Sequence, residues 1–426
     1  MKTNAIQSIK GFKDILPSEI KYYKYIEKTI FDISNQYAIN ELRLPLIEKS
    51  ELFMKSIGNN TDIVNKEMYN FVDKNGESIC LRPEGTASVV RSVIEHSLVY
   101  DRGLKKQKYM YYGPMFRHEK PQKGRYRQFN QFGVEYFGFS DTNSDLELII
   151  LGNHIFDKLG LKNTNLHINS LGDENDKRKY AEVVKKFFVR IKDKLDDYQL
   201  NTLNNNPLRL LDNKKDNIRD ILEKIPTMNE TLSNESKNRF NMLLNKLDET
   251  GIDYICDNSI VRGLDYYNDT VFEWRDTSLG SQNAICAGGR YDALVKNTGG
   301  NDVPAIGFAM GIERIVELVK NIDLPFKHQL VIPIISTLAE TELYGLQLTT
   351  ELRHRYPHLS FYSTDGSASL SSQTKSALKI NDTFIILITN ENIKDKSITV
   401  RMKENKMNDT ILTNDELIKL MDKSYG

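Results

Sequence analysis

After Pro17 the apolar positions recur at helical spacing, at Tyr22, Tyr25, Ile26, Ile30 and Ile33, which predicts a helix from Ser18 to Tyr37 with Ser18 as its cap. The pattern then shortens. Leu42 to Leu46 reads as a strand, and Pro45 within it suits a sheet edge or an interface. Tyr109 to Glu119 is rich in aromatics and strand-like, Lys120 to Arg127 is a basic connection containing Gly and Pro, and Phe129, Gln131, Gly133 and Glu135 then alternate onto one face. These two strands form a predicted hairpin. Residues 172–255 are dense in Lys, Asp, Glu and Asn, carry apolar residues at helical spacing and lack strand-like runs, so they read as a helical insertion, with the sheet resuming near Asp257. Gly307 to Lys320 reads as a helix, and Asp323-Leu324-Pro325 as a linker. A new domain begins near Gln329. There, apolar runs at Leu330 to Ile335, Leu359 to Tyr362 and Phe384 to Ile388 alternate with helical patterns at Leu343 to Tyr356 and Asp415 to Met421, which predicts an α/β domain.

The hairpin concentrates candidate chemistry. A period of two places Arg117 and Glu119 on one face, where a guanidinium can grip a phosphate with a fork of N–H donors and a carboxylate can accept an exocyclic amine. Phe129 can stack on a base. Together these read as a nucleotide site, although an amphipathic hairpin with surface charge has the same alternation. His118 alternates away from Arg117 and Glu119, and packing on the opposite strand face accounts for it better than a role as general base does.

Composition narrows the setting. A chain of 426 residues exceeds one ordinary core and suggests two or three domains. Basic and acidic residues balance at 58 each, so any RNA contact must be a local patch. Residues 328–426 hold 11 basic and 12 acidic side chains, a net of −1, and charge alone does not mark them as RNA-binding. Cys80, Cys256 and Cys286 are odd in number and scattered, with no Cys-x-x-Cys pair, which fits a reducing compartment and gives no zinc pattern. The first residues lack an apolar signal core and no apolar run is long enough to span a bilayer, so the expectation is a cytoplasmic protein with no membrane partner.

Phe116-Arg117-His118-Glu119 with its loop and following strand resembles the second signature motif of class II aminoacyl-tRNA synthetases. Val261-Arg262-Gly263-Leu264-Asp265-Tyr266-Tyr267 and Ala287-Gly288-Gly289-Arg290-Tyr291-Asp292 resemble the two signatures of histidyl-tRNA synthetases, and Gly307 to Arg314 resembles the third class II motif. Gly11 to Pro17 and Leu42 to Leu46 resemble the family's opening and its dimer-forming first motif, and Asn206 to Asp212 resembles a stretch of its insertion. The likeness covers nearly the whole chain. It implies an α+β catalytic domain with a mixed, mainly antiparallel sheet over residues 1–325, interrupted by the 172–255 helical insertion, followed by an anticodon-binding α/β domain over 328–426.

The resemblance also implies an activity: ATP-dependent activation of L-histidine to histidyl-adenylate and its transfer to the 3′ end of tRNA(His), by a homodimer. Arg117 and Arg262 would be the catalytic cations, converging on the α-phosphate and the substrate carboxylate. Arg125 would reach the terminal phosphates, Glu119 would read the adenine amine, and Arg314 would lie over adenine opposite Phe129. Glu84, Gly85, Thr86 and Gln131 would hold the amino end of histidine, and Glu135, Tyr266, Tyr267 and Tyr291 its ring. Gly288-Gly289 would let a strand backbone approach the substrate. Mg²⁺ would accompany ATP, held largely by the nucleotide and water, with no dedicated protein cage. On the residues alone, Tyr266 and Tyr267 also fit core packing, Glu84 after Pro83 also fits a helix start, and Arg125 and Arg127 also fit solvated loop charge. The alternative in another functional class is an inactive, synthetase-like regulatory subunit of histidine biosynthesis.

Overall fold

The structure, a computed structural model, describes residues 6–58, 61–99, 105–212, 224–260, 264–280, 283–324, 330–364, 368–380, 384–402 and 409–425. They fall into two compact units, Met1–Leu324 and Pro325–Gly426. In the first unit the strands are β1 (Asn40–Glu41), β2 (Ile47–Lys49), β3 (Tyr69–Val72), β4 (Ser78–Leu81), β5 (Gln107–Phe116), β6 (Gln128–Phe137), β7 (Thr164–Ser170), β8 (Tyr254–Cys256), β9 (Asn268–Asp276), β10 (Ala284–Arg290) and β11 (Ala305–Gly311). Eight of them form one sheet in the order β1-β5-β6-β11-β10-β9-β7-β8. Only the outer pairs, β1 with β5 and β7 with β8, are parallel; the five inner pairings are antiparallel, as expected for the mixed sheet.

The period of two in β6 divides the two faces. Phe132, Val134 and Tyr136 point into one core, which also takes Ile26, Ile30 and Ile33 of helix Pro17–Gln36, Leu148 and Ile155 of helix Thr142–Lys158, and Trp274 and Phe308 from neighbouring strands. The odd-numbered residues face the other side. There Tyr111 and Phe137 join Val89 and Val90 of helix Thr86–Glu95 and Tyr180, Val184 and Phe188 of the insertion in a second core. The two cores hold the β5–β6 hairpin rigidly between them.

Several elements differ from the sequence-based expectation. Helix Pro17–Gln36 is entered through Leu16, with Pro17 in the first turn, so Ser18 is not its cap. Leu42 to Leu46 is not a strand: Pro45 has no N–H to give a ladder, and the carbonyls of Leu44 and Pro45 are taken by Arg82 Nη1 at 2.9 and 3.3 Å. β2, β4 and β3 form a separate three-stranded antiparallel sheet beyond it. The Gly307 to Lys320 segment is helical only from Ile312 to Val319; Gly307 to Gly311 belongs to β11, with Ile306, Phe308 and Met310 alternating into the core. The insertion carries helices Glu174–Val189, Asp197–Asn205 and Asn234–Thr250, and the sheet resumes at Tyr254, ahead of Asp257.

The second unit has one sheet of β12 (Val331–Ser336), β13 (Ser360–Ser363), β14 (Phe384–Ile388), β15 (Ser397–Met402) and β16 (Asp409–Thr413), ordered β13-β12-β14-β15-β16. β12 is parallel to both neighbours, while β14, β15 and β16 are antiparallel. Helices Ala339–Arg355 and Asn414–Tyr425 lie where helical periodicity predicts them. Helices Leu370–Ile380 and Asn390–Asp395, and strands β15 and β16, were not anticipated from the pattern.

Candidate active site

On the second face of the sheet, a cavity of about 220 Å³ opens between the β5–β6 hairpin and the start of helix Ile312–Val319, bounded by Arg117, Glu119, Arg125, Phe129, Gln131 and Arg314. β5 ends at Phe116, one residue before Arg117, because the chain tightens there: Glu119 N–H donates to Arg117 O at 2.8 Å. The tight turn still keeps Arg117 Nη1 within 3.8 Å of Glu119 Oε1. Arg117 Nε donates to Pro83 O at 2.7 Å, and its guanidinium lies 5.4 Å from the Phe129 ring centre. This arginine is held on two sides. Arg125 Nη1 pairs with Glu119 Oε2 at 3.0 Å, and Arg314 donates to Ala284 O. Burial, and then the Arg125 charge, pull Arg314 down to about 10 against the attraction of Glu119. Positive charge is therefore crowded in a partly desolvated space.

Gln131 joins this cavity to a buried polar cluster. Its Oε1 accepts Gly85 N–H at 3.2 Å and the Tyr111 hydroxyl at 3.1 Å. The Tyr111 ring fits there because Gly85 and Gly133 have no side chain: a Cβ on either would stand 2.2 or 2.3 Å from it. Glu84 accepts the N–H groups of Thr86 at 2.7 Å and Ala87 at 2.9 Å, so it caps helix Thr86–Glu95 as well as facing the cluster. Glu135 Oε1 accepts the Thr86 hydroxyl at 2.7 Å, and Oε2 accepts the Tyr291 hydroxyl. Burial pushes the Glu135 carboxyl up to about 8, against the pull of those hydroxyls, and burial also raises Glu84. Tyr266 packs 4.6 Å from Tyr267 and 5.6 Å from Tyr291, centre to centre, closing the cluster with three aromatic rings.

Hydrogen bonds thus link Glu84, Thr86, Glu135 and Tyr291 in one set and Gly85 with Gln131 in another, the two meeting at the chain segment Glu84–Thr86, with Tyr266 and Tyr267 in ring contact, while Arg117, Glu119, Arg125, Phe129 and Arg314 surround the adjoining cavity. Arg262 lies outside the described residues. Arg127 turns elsewhere, its Nε to Glu119 O at 3.3 Å and its Nη1 to Lys10 O at 3.4 Å. His118 is exposed, its ring edge on Tyr69. For Gly288-Gly289 the reason differs from the one expected: a Cβ at Gly288 would stand 2.4 Å from Gly307 O, and one at Gly289 2.6 Å from Thr270 O, so the pair lets β10 pack between its neighbouring strands. Two site residues escaped the sequence reading. Tyr111 is marked only by the glycines opposite it, and Glu313 only by its place beside Arg314.

The model of the histidyl-tRNA synthetase family matches residues 11–315. The chain belongs to the histidyl-tRNA synthetase family. The histidine–tRNA ligase of Buchnera aphidicola subsp. Schizaphis graminum is 45% identical over 392 residues, 91% of each chain. That of Hydrogenovibrio crunogenus is 41% identical over 419 residues, 98% of this chain and 97% of its own. The crystal structure of apo S. aureus histidyl-tRNA synthetase superposes with a TM-score of 0.79 at 31% identity, covering 98% of this chain and 99% of that one. Similarity to histidyl-tRNA synthetases therefore extends past residue 315 through the second compact unit.

Proposed function

We propose that this chain activates L-histidine with ATP to histidyl-adenylate and passes the histidyl group to the 3′ end of tRNA(His). The observation that carries the reading is the junction at Gln131 of an arginine-lined cavity and a buried carboxylate and tyrosine cluster, within a chain of this family. Adenylation needs fixed positive charge near the α-phosphate and no protein nucleophile, since the substrate carboxylate attacks. Arg117, already held by Pro83 O and the Phe129 ring, needs little reorganisation to supply that charge, and Arg262 would join it. Arg314 and Phe129 would bracket adenine. Glu119 would accept the adenine amine, exchanging its bond to Arg125, whose freed guanidinium would then turn to the terminal phosphates.

Histidine would lie over Gln131, with its amino end toward Glu84 and Thr86 and its ring toward Glu135 and the tyrosines. A site that pairs both ring nitrogens rejects an apolar isostere by about 10⁴-fold, because the isostere leaves buried polar groups unpaired. Mg²⁺ belongs to the same proposal as the ion that neutralises the nucleotide's phosphates. Among the described residues no group of three or more His, Cys, Asp or Glu could hold a metal, so the ion would be held largely by the nucleotide and water.

The unit Pro325–Gly426 would bind the anticodon arm. A homodimer would use the three-stranded sheet and its approach, where Leu46, Ile47, Phe71 and Val72 are exposed. No described helix is long and apolar enough to cross a membrane, and a cytoplasmic location is part of the proposal. The regulatory-subunit reading is disfavoured, because relatives 41–45% identical over nearly the whole chain are histidine–tRNA ligases. Charging of tRNA(His) with labelled histidine tests the proposal: esterified histidine at the 3′ end supports it, and ATP-dependent charging with another amino acid instead refutes it.

A further inference from the structure

The β6–β11 ladder runs from Phe137 opposite Ala305 to Gln131 opposite Gly311 and stops there, because the chain turns into helix Ile312–Val319. Asn130, the next residue of β6, faces a strand that has left the sheet. Glu313, buried in the first turn of that helix, bends back to meet it. Its Oε1 and Oε2 each stand 2.9 Å from the Asn130 backbone nitrogen and accept that N–H, and Oε1 also accepts Asn130 Nδ2 at 3.0 Å. A side-chain carboxylate thus takes the place of the carbonyl a continuing strand would have offered. The clasp is flanked by the cavity on both sides: Phe129 and Gln131 adjoin Asn130, Arg314 adjoins Glu313, and these three line the cavity with Glu313 itself.

We propose that Glu313 is a positioning residue for the nucleotide: by holding Asn130 it sets the spacing between the Phe129 ring and the Arg314 guanidinium, and so the affinity for ATP. The inference rests on the reading of this cavity as the ATP site. A carboxylate has acceptor capacity for every donor Asn130 presents; burial pushes Glu313 up to about 7 against the pull of those donors, and above that value charge strengthens each bond. An amide at the same position has one acceptor oxygen and turns its NH₂ group against those donors. The hydrogen bonds of the clasp join Glu313 to Asn130 alone, and the neighbouring Gln131 is held independently by Gly85 N–H and the Tyr111 hydroxyl, so the effect falls mainly on the nucleotide.

The test measures ATP binding by calorimetry and the KM values for ATP and histidine by pyrophosphate exchange, on the full chain and on E313Q, N130A and the exchanged pair E313Q/N130D. With assays run above the folded value of the Glu313 carboxyl, loss of these hydrogen bonds predicts about a tenfold rise in KM for ATP in E313Q with the KM for histidine nearly unchanged, alongside a modest fall in melting temperature because the group is buried. N130A should shift the ATP value in the same direction. The exchanged pair should recover, because the amide introduced on the helix then donates to the carboxylate introduced on β6, while the amide oxygen still accepts the backbone N–H of that strand residue. An unchanged KM for ATP in both single variants overturns the proposal, as does a parallel rise in both KM values with a lowered melting temperature, which marks a purely structural role. Should E313Q not fold, N130A and the exchanged pair decide by the same criteria. A full chain that binds no ATP refutes the reading of the cavity itself, and that arm is read before any variant.

Discussion

The Thr86 hydroxyl donates to Glu135 at 2.7 Å, tying the first turn of helix Thr86–Glu95 to β6 across 49 residues of sequence. Glu84 caps that same turn, so a single helix start orders both buried carboxylates. Thr86→Val keeps the shape and removes one donor from a buried carboxylate, which costs about 1–3 kcal/mol. We predict a rise in the KM for histidine of about tenfold or more with the KM for ATP nearly unchanged. Steady-state pyrophosphate exchange reads both values, and an equal rise in the two would place Thr86 outside the histidine pocket.

Glu135 makes stability depend on pH. Its folded carboxyl is pushed from an ordinary 4.5 up to about 8, so folding favours the protonated form. That contribution is complete below about 4.5 and is lost as pH rises through about 8. Glu135→Gln, a neutral isostere, should flatten this dependence. In calorimetry without ligand, the melting temperature of the variant relative to the parent should be higher above the folded value than well below it, by roughly a few degrees. A difference that does not change with pH would show that Glu135 is already ionised in the empty pocket.

Arg117→Ala removes a cation that Pro83 O and the Phe129 ring hold in advance. The adenylation rate should fall by about 10²–10³-fold with the fold retained. Arg262→Ala should act in the same range by its place in the histidine-specific signature. Single-turnover formation of histidyl-adenylate at the parent rate in either variant would remove that arginine from the chemistry.

The strand alternation of β6 was legible from its residues, since Phe129, Gln131 and Glu135 recur with a period of two and the even positions from Phe132 to Tyr136 are apolar. β11 was misread although Ile306, Phe308 and Met310 alternate as a strand's residues do, because the helical spacing of Ile312, Ile315, Val316 and Val319 follows it directly and was extended back across Gly307 to Gly311. Whether a short apolar run is strand or helix depends on what packs beside it. Gly307 shows this, because a Cβ there would collide with the Glu135 carboxylate, a contact made across the sheet and invisible in the local pattern. Leu42 to Leu46 fails as a strand for the same kind of reason, since its carbonyls are claimed by Arg82 from outside the segment. Tyr111 was missed because its role is written in two distant glycines.

Removing Pro325–Gly426 should leave the adenylation site whole, since every residue assigned to it lies within Met1–Leu324. The truncated chain should keep much of its histidine-dependent pyrophosphate exchange while charging of full-length tRNA falls steeply. Exchange, charging and sedimentation on one preparation decide the role: a dimer with raised KM for tRNA supports anticodon binding, and unchanged charging contradicts it.

The most direct measurement of the central claim is the exchange of labelled pyrophosphate into ATP by the purified full chain, with histidine present, absent, or replaced by each other amino acid. The junction of the arginine-lined cavity with the Glu135 pocket predicts exchange that depends on ATP and on histidine, with the remaining amino acids near background. Exchange that is absent with histidine, or equally fast with an apolar amino acid, would contradict the assignment of the two compartments to ATP and histidine.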